Sequence, residues 1–292
     1  MNLELLTQSI VTGILLGGLY ALIGIGLSVI FGIMGLTNIA HGNLIILSSF
    51  FIMTFSAAFG GNILIGLLMA IAAMVVIGFL MQNFLINTVI DKGPEPALLV
   101  TFGLSIIIQN ALQLIYGADT KSIRSALSNT NILSTKYVSI SGIYFFNFVV
   151  AVAVVVVLSL VIKRTRLGRA IRAASFSARN AELMGVNTKL IYSVTMAIAM
   201  ASACIAGLLL GSTFAFYTYS GPQYLIVAFG VVVIGGMGSI AGTLLGGVIL
   251  GLAQLLSSYF FGAGYQIFFG YVVMLILLTL KPSGLLSGKA RK

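Results

Sequence analysis

Charge is scarce in this sequence of 292 residues: 7% of the residues are charged, and only five are acidic. A soluble domain carries about a quarter charged residues, so this composition excludes an ordinary soluble protein. The only cysteine, Cys204, has no partner for an internal disulfide. The only histidine, His41, cannot form a metal site without further ligands, and the sequence offers none beside it. We therefore expect no disulfide, no metal site and no cofactor.

Apolar residues, in contrast, dominate the chain: 60% of it is hydrophobic, and the mean hydropathy is +1.16. About 20 apolar residues in a helix cross a bilayer core of roughly 30 Å. Segments of this kind fall at 9–33, 44–59, 62–90, 97–117, 143–162, 190–212, 225–257 and 264–280. They are far longer than the roughly ten alternating residues of a barrel strand. The sequence therefore predicts an all-α, polytopic membrane bundle that forms one transmembrane domain over residues 1–292.

Glycine predicts how the helices of this bundle pack. The pairs Gly13/Gly17 and Gly247/Gly251 have the four-residue spacing that lets helix backbones approach closely. The segment 225–257 is too long for one comfortable span, and GGMGSIAG interrupts it. The glycines expected to break the helix there are Gly235, Gly236, Gly238 and Gly242. Counting this segment as two crossings gives nine, within a range of about eight to ten helices, some broken or re-entrant.

Basic residues predict the orientation of the chain in the membrane. The stretch Lys163–Lys189 holds seven of the fifteen Lys and Arg residues. The C-terminal tail holds a second cluster, at Lys281, Lys289, Arg291 and Lys292. Cytosolic connections are enriched in Lys and Arg, so both stretches are expected in the cytosol and the N-terminus outside. The same clustering explains the net charge of +10 without nucleic acid as a partner.

The basic loop at about 163–189 has two interpretations. Its bases can meet lipid phosphates at the cytosolic face. Ser177 can cap a short helix, Ala178–Met184, which Gly185 would end. Ala181, Leu183 and Met184 would then offer a small apolar surface to a soluble partner. The alternative is a solvated loop that only fixes the topology.

Two polar stretches within the apolar sequence are candidates for the translocation path. The first is GLTNIAHGN, with Thr37, Asn38, His41 and Gly42 as its candidate residues. It is either a broken helix lining the path or a polar connection at the cytosolic surface with Asn38 as a helix cap. The second contains Ser239 and Thr243, which either bind a polar substrate or serve close helix packing. A weak internal echo relates 35–44 to 236–244, as duplicated broken helices in transporters would.

Three motifs give the sequence a family resemblance. NIAHGNL, GRAIRA followed by AELMGVN, and VIGGMGSIAG resemble, in this order, motifs of branched-chain amino-acid permeases of ABC transporters, the Liv H type. Together they span almost the whole chain. Departures are Ile39 for the usual Phe, Asn43 for a common acidic residue and Ser177 for an acidic residue.

The resemblance implies an ABC importer subunit for branched-chain or other hydrophobic amino acids in a bacterial or archaeal inner (plasma) membrane. Its partners would be ABC ATPase subunits, a second permease subunit that forms a heterodimer with it, an extracytoplasmic substrate-binding protein and membrane lipid. The residues expected to couple the chain to the ATPase are Gly168, Arg169, Arg172, Ser177, Ala181, Glu182, Met184 and Gly185. The chain has no G-x-x-x-x-G-K-[ST] motif, so we expect a transport subunit that is not itself an ATPase or other enzyme.

Three alternatives stay open at this point. Related subunits that share these motifs transport urea or short amides. An ATP-independent channel or ion-coupled carrier is disfavoured, because such carriers usually keep an ionisable residue in the membrane. An intramembrane serine protease would need Ser239 and His41 within hydrogen-bond reach.

Overall fold

The computed structural model describes residues 3–124, 130–134 and 139–286. Its helices are α1 Leu3–Met34, α2 His41–Ala58, α3 Ile63–Leu80, α4 Pro94–Tyr116, α5 Gly142–Arg164, α6 Arg166–Phe176, α7 Ala178–Leu183, α8 Thr188–Thr213, α9 Gly221–Gly235, α10 Ile240–Phe261 and α11 Gln266–Leu280. Short irregular turns at Met81–Leu85, Ile86–Thr88 and Ile90–Lys92 link α3 to α4, and another at Ala263–Tyr265 precedes α11. Two antiparallel strands, β1 Asn131–Ser134 and β2 Ser139–Ser141, precede α5.

Within these described ranges, eight helices are long and apolar enough to cross a membrane when α11 is counted with the turn Ala263–Tyr265 before it, and α9 is a shorter apolar helix. The prediction of an all-α polytopic bundle is therefore confirmed. Helices α6 and α7 are too short or too polar to span and lie between α5 and α8, within the basic loop. Tail residues Lys289, Arg291 and Lys292 lie outside the described part of the chain.

Helix α1 is the central element of the bundle. It packs against α10, α8, α5 and α9, and most of its middle is buried. A methyl group added at Gly17 would lie 2.8 Å from the Gly247 carbonyl oxygen, and one at Gly251 would lie 2.8 Å from the Gly17 nitrogen. Since real side chains do not approach so closely, only glycine allows this contact. The predicted close packing through glycine pairs is confirmed.

The break predicted in the segment 225–257 is also present. Helix α9 ends at Gly235 and α10 begins at Ile240, so the polar and glycine-rich residues between them form a tight turn. Gly236 and Gly238 adopt φ angles of 105° and 82°, which side chains rarely allow. The segment after α11 closes over this turn, because the Leu285 N–H donates to the Ile234 carbonyl oxygen.

The polar connection after α1 does not stay at the surface. The His41 Nε2 atom lies 3.0 Å from the carbonyl oxygen of Ile23, which is eleven residues, or about 16 Å, before the end of α1. Residues 35–40 therefore return into the bundle as an extended segment, and α2 begins at mid-membrane depth. Leu36, Asn38 and Ala40 are buried in this segment.

A second re-entrant segment enters from the opposite side. Residues 214–220 follow α8, and their side chains alternate in the same way, with Phe216, Thr218 and Ser220 buried. Helix α9 then begins beside the first turn of α2, since a methyl group at Gly42 would lie 2.8 Å from the Leu225 nitrogen. The two helices run in opposite directions from this point. The bundle thus contains an inverted pair of broken-helix elements whose helix N-termini meet.

Candidate functional site

The basic loop forms a compact two-helix unit against the end of α5. Thr165 caps α6 by accepting the Gly168 N–H at 2.9 Å. A methyl group at Gly168 would overlap the carbonyl oxygens of Val161 and Ile162, so glycine is needed for α6 to fold back on α5. Arg172 donates to the Ile162 carbonyl oxygen. Gly168, which is buried, and Arg172, which stays exposed, thus hold the unit in place.

Helix α7 begins and ends where the sequence predicts. The Ser177 hydroxyl accepts the Asn180 N–H at 3.3 Å, and Gly185 follows the helix with φ of 83°. Glu182 accepts a hydrogen bond from the Thr188 hydroxyl in the first turn of α8, which links α7 to that span. Ala181 is 4% exposed and faces the protein, so its expected place on an apolar outer surface is wrong.

The outer side of this unit is apolar and basic. Phe176, Leu183 and Met184 are 84%, 79% and 84% exposed, although they lie in a short loop rather than a spanning helix. Arg169 and Arg179, in the same two helices, are exposed as well. We call these five residues the docking surface. Sequence reasoning missed Phe176, for which the only signal was a large aromatic residue directly before the predicted Ser177 cap.

The candidate residues of the first polar stretch lie where the two helix N-termini meet. The Asn38 side-chain oxygen accepts the Ala40 N–H at 3.0 Å, just before α2, so Asn38 stabilises the approach to the helix rather than capping it. Asn38 and His41 are completely buried, whereas Thr37 is partly exposed. The Asn43 amide donates to the Ser105 hydroxyl oxygen at 2.8 Å and so ties α2 to α4. The alternative of a surface connection is therefore wrong.

Ser239 and Thr243 lie at the turn between α9 and α10 and already have partners. Ser239 caps α10 by accepting the Gly242 N–H at 3.0 Å, and the Thr243 hydroxyl donates to the Ser239 carbonyl oxygen at 2.9 Å. The two polar stretches meet only at a small gap of about 10 Å³, lined by Thr37 and Met237 among others. Contact of any of these residues with substrate stays a prediction.

A serine protease is excluded by the positions of its two required residues. His41 bonds to the Ile23 carbonyl oxygen and packs beside Gly26, whereas Ser239 bonds within the turn that packs against Gly32. Six residues of α1, about 9 Å along the axis, separate the two positions. No hydrogen bond joins the two side chains.

Comparison with known proteins shows the family to which this chain belongs. The family described as the permease component of the branched-chain amino acid transport system matches residues 9–279. The chain belongs to this family. It is 32% identical to the high-affinity branched-chain amino acid transport system permease protein BraD of Pseudomonas aeruginosa, over 96% of this chain and 95% of the relative. It is 30% identical to the corresponding permease protein LivH of Escherichia coli K12, over 96% and 94% of the two chains.

More distant members of the permease family extend to archaea. The probable branched-chain amino acid transport permease protein LivH of Methanocaldococcus jannaschii is 24% identical over 93% of this chain and 90% of its own length. Among solved structures, PsaBC from Streptococcus pneumoniae in complex with Fab covers 96% of this chain and 92% of that chain, with a TM-score of 0.48 and 13% identity. That likeness is too distant to bear on mechanism. The family resemblance of the sequence motifs is confirmed by full-length similarity to permease proteins.

Proposed function

We propose that this chain is the membrane subunit of an ATP-driven importer of branched-chain amino acids, and that an ABC ATPase binds its docking surface. The observation that supports this most strongly is the similarity to branched-chain amino acid permease proteins along almost the whole chain. The sequence carries no P-loop of its own, so the energy of ATP hydrolysis must come from a second subunit.

The docking surface has the chemistry of a protein interface. Three large apolar side chains exposed together at a polar surface are unusual unless a partner covers them. Arginine and aromatic residues are enriched at the centres of such interfaces. Gly168, Arg172 and Glu182 support this surface from behind through α5 and α8, so a force on α7 reaches two spanning helices.

The family suggests the remaining protein partners, and the orientation of the chain in the membrane suggests its contacts with lipid. A second permease subunit would complete the membrane domain, and an extracytoplasmic binding protein would deliver substrate. We place the N-terminus outside and the C-terminus in the cytosol of the inner membrane, because seven basic residues of the loop then lie on the cytosolic side. Lys163 and Arg166 at the membrane edge of the loop would meet lipid phosphates.

Co-purification tests the coupling. We expect the double variant Leu183→Ala/Met184→Ala, expressed with the ATPase subunits of its own system, to retain roughly a tenth or less of the bound ATPase, since central apolar residues dominate interface energies. Leu286→Ala is the matched control, because Leu286 is also an exposed leucine, at 44%, outside the docking surface. Both variants should melt like the wild type, because exposed substitutions change stability by about 0.5 kcal/mol or less.

Equal ATPase recovery with the double variant and the control would overturn the proposed surface. Substrate is tested separately, by uptake of radiolabelled leucine and of urea into proteoliposomes that contain the complete system. Uptake of urea but not leucine would replace the proposed substrate with a short amide. Uptake without any ATPase subunit would replace the importer with a channel or carrier.

A further inference from the structure

A cavity of about 320 Å³ lies in the half of the bundle away from the cytosolic loop, beside the second re-entrant segment. Residues of α1, the segment 214–220, α9, α10 and α11 line it. Its size falls at the small end of the range for small-molecule sites. The six residues predicted for the translocation path do not line it: Thr37, Asn38, His41, Gly42, Ser239 and Thr243.

The first turn of α9 lies at this cavity. The first N–H groups of a helix have no partner within the helix, and no side chain caps α9. The Ser220 hydroxyl is occupied as acceptor of the Tyr217 N–H at 3.1 Å. Gln223, which lines the cavity, therefore supplies a backbone donor at the positive end of a helix of 15 residues, where a carboxylate is stabilised.

Two buried side chains add hydrogen-bond donors to the cavity beside this end of α9. Tyr224 lines the cavity, is 7% exposed, and has no hydrogen-bond partner for its hydroxyl among the described residues. On the opposite wall, Tyr20 donates to the Gln254 side-chain oxygen at 2.6 Å, which leaves the Gln254 amide nitrogen as a donor. Because no group in the described part of the chain bonds the Tyr224 hydroxyl, it can donate a hydrogen bond to a ligand in the cavity.

Among the described residues, none that lines the cavity carries a charge. A ligand with a net charge would be left without a counter-ion, which is costly in a partly buried site. A zwitterion is neutral overall, and its two charged groups can be met separately by donors at the helix end and by hydroxyl and amide oxygens. Val227 and Ile267 add apolar wall for a hydrocarbon side chain.

We propose that this cavity is a substrate-binding site for a small zwitterion with an apolar side chain, whose carboxylate lies at the first turn of α9 beside Tyr224. The proposal rests on the proposed function, because it assigns a position within this chain to the amino acid that the importer carries. Its lining differs from the residues that the sequence suggested for the translocation path, although Gly42 touches the first turn of α9 from another side.

Cysteine protection tests this without relying on transport. Ala215 is exposed and lines the cavity, whereas Tyr219 is 44% exposed and does not. The native Cys204 is completely buried and gives little background. In the assembled complex we expect leucine to slow maleimide labelling of Ala215→Cys severalfold and to leave Tyr219→Cys unchanged. Leucine amide and 4-methylpentanoate, which carry one charge each, should not protect.

A second variant pair tests the carboxylate contact. Tyr224→Phe removes one hydroxyl and should weaken leucine protection at Ala215→Cys at least about tenfold, as expected for a hydrogen bond to a charged group. Tyr219→Phe is the matched control and should leave protection unchanged. If leucine gives no protection in a complex that transports leucine, the proposed binding site is wrong but the proposed function stands. The same holds if leucine protects equally well with Tyr224→Phe and with the native Tyr224. A complex that transports no leucine would instead overturn the proposed function.

Discussion

Replacing Gly17 by alanine tests the contact at the centre of the fold. The added methyl group would overlap the Cα atom of Val248 and lie 2.8 Å from the Gly247 carbonyl oxygen, against about 3.4 Å for an ordinary contact, so α1 and α10 must separate by more than about 0.6 Å. No side-chain rotation can relieve the overlap, because the neighbouring atoms belong to the backbone of α10. Overpacking of this kind typically costs about 1–3 kcal/mol.

The chain offers a matched control in Gly103, which lies in α4 with nothing within 4 Å of an added methyl group. Alanine favours helix over glycine by about 0.8–1.0 kcal/mol at either position. This propensity term cancels between the two variants, so their difference reports the packing alone. We expect Gly17→Ala to be less stable than Gly103→Ala by about 1–3 kcal/mol.

Cys204 provides the assay for this comparison. It is the only cysteine and is completely buried, so a thiol-reactive fluorophore should label it only when the bundle opens during heating in detergent. Gly103→Ala should label at or above the wild-type midpoint temperature, and Gly17→Ala at a lower one. If Gly17→Ala labels at the same temperature as Gly103→Ala, the two helices are not in backbone contact at this point.

Three further substitutions have defined expected outcomes. Ser177→Ala should destabilise α7 by about 1 kcal/mol and lower leucine-stimulated ATPase activity of the complex, while Ser177→Asp, which keeps a capping oxygen, should restore it. Gly185→Ala should destabilise the end of α7 by about 1–2 kcal/mol, because its φ is 83°, and faster proteolysis of the loop would report it. Asn62→Ala should lower the thermal midpoint through the loss of about 1 kcal/mol, because Asn62 accepts the N–H groups of Leu64 and Ile65 at the start of α3.

Most of the fold could be predicted because each of its elements depends on the composition of a short stretch of sequence. A helix that crosses a membrane needs a long apolar run, so run length alone locates it. The break at Gly235–Gly242 and the cap at Ser177 were equally local, since each depends on residue types that favour one backbone geometry. In each case a short stretch of sequence carried the whole physical cause.

The depth of the re-entrant segments could not be predicted in the same way. Residues 35–40 and 214–220 have the composition of ordinary polar connections. Only their hydrogen bonds to α4 show that they are buried: Ile39 bonds to Thr101, and Thr218 bonds to Gln113. The weak sequence similarity between 35–44 and 236–244 therefore pairs the first re-entrant segment with the wrong part of the chain. Its structural counterpart is 214–220, whereas 236–239 is a tight turn.

The two re-entrant segments also differ in what lies beside them. The segment 214–220 borders the cavity of about 320 Å³, while Thr37 in 35–40 borders a gap of about 10 Å³. Helix α9 lines both, through Tyr224 and Phe229. The space beside 214–220 is thus much larger than the gap beside Thr37.

Transport in the proposed direction requires this relation to be reversed, so that the cavity closes while the gap opens. Helix α9 is the element best suited to reverse it, because it is short, borders both spaces and begins at the mid-membrane contact of Gly42 with Gly221. Its other end packs against Gly242 of α10 and accepts hydrogen bonds from the segment after α11 at the Ile234 and Gly235 carbonyl oxygens, so these contacts must change when α9 moves. If α9 tilts about its first turn, the α9 residues that line the small gap, Phe229 and Val232, move most. The first turn, where we propose that the substrate carboxylate binds, moves least.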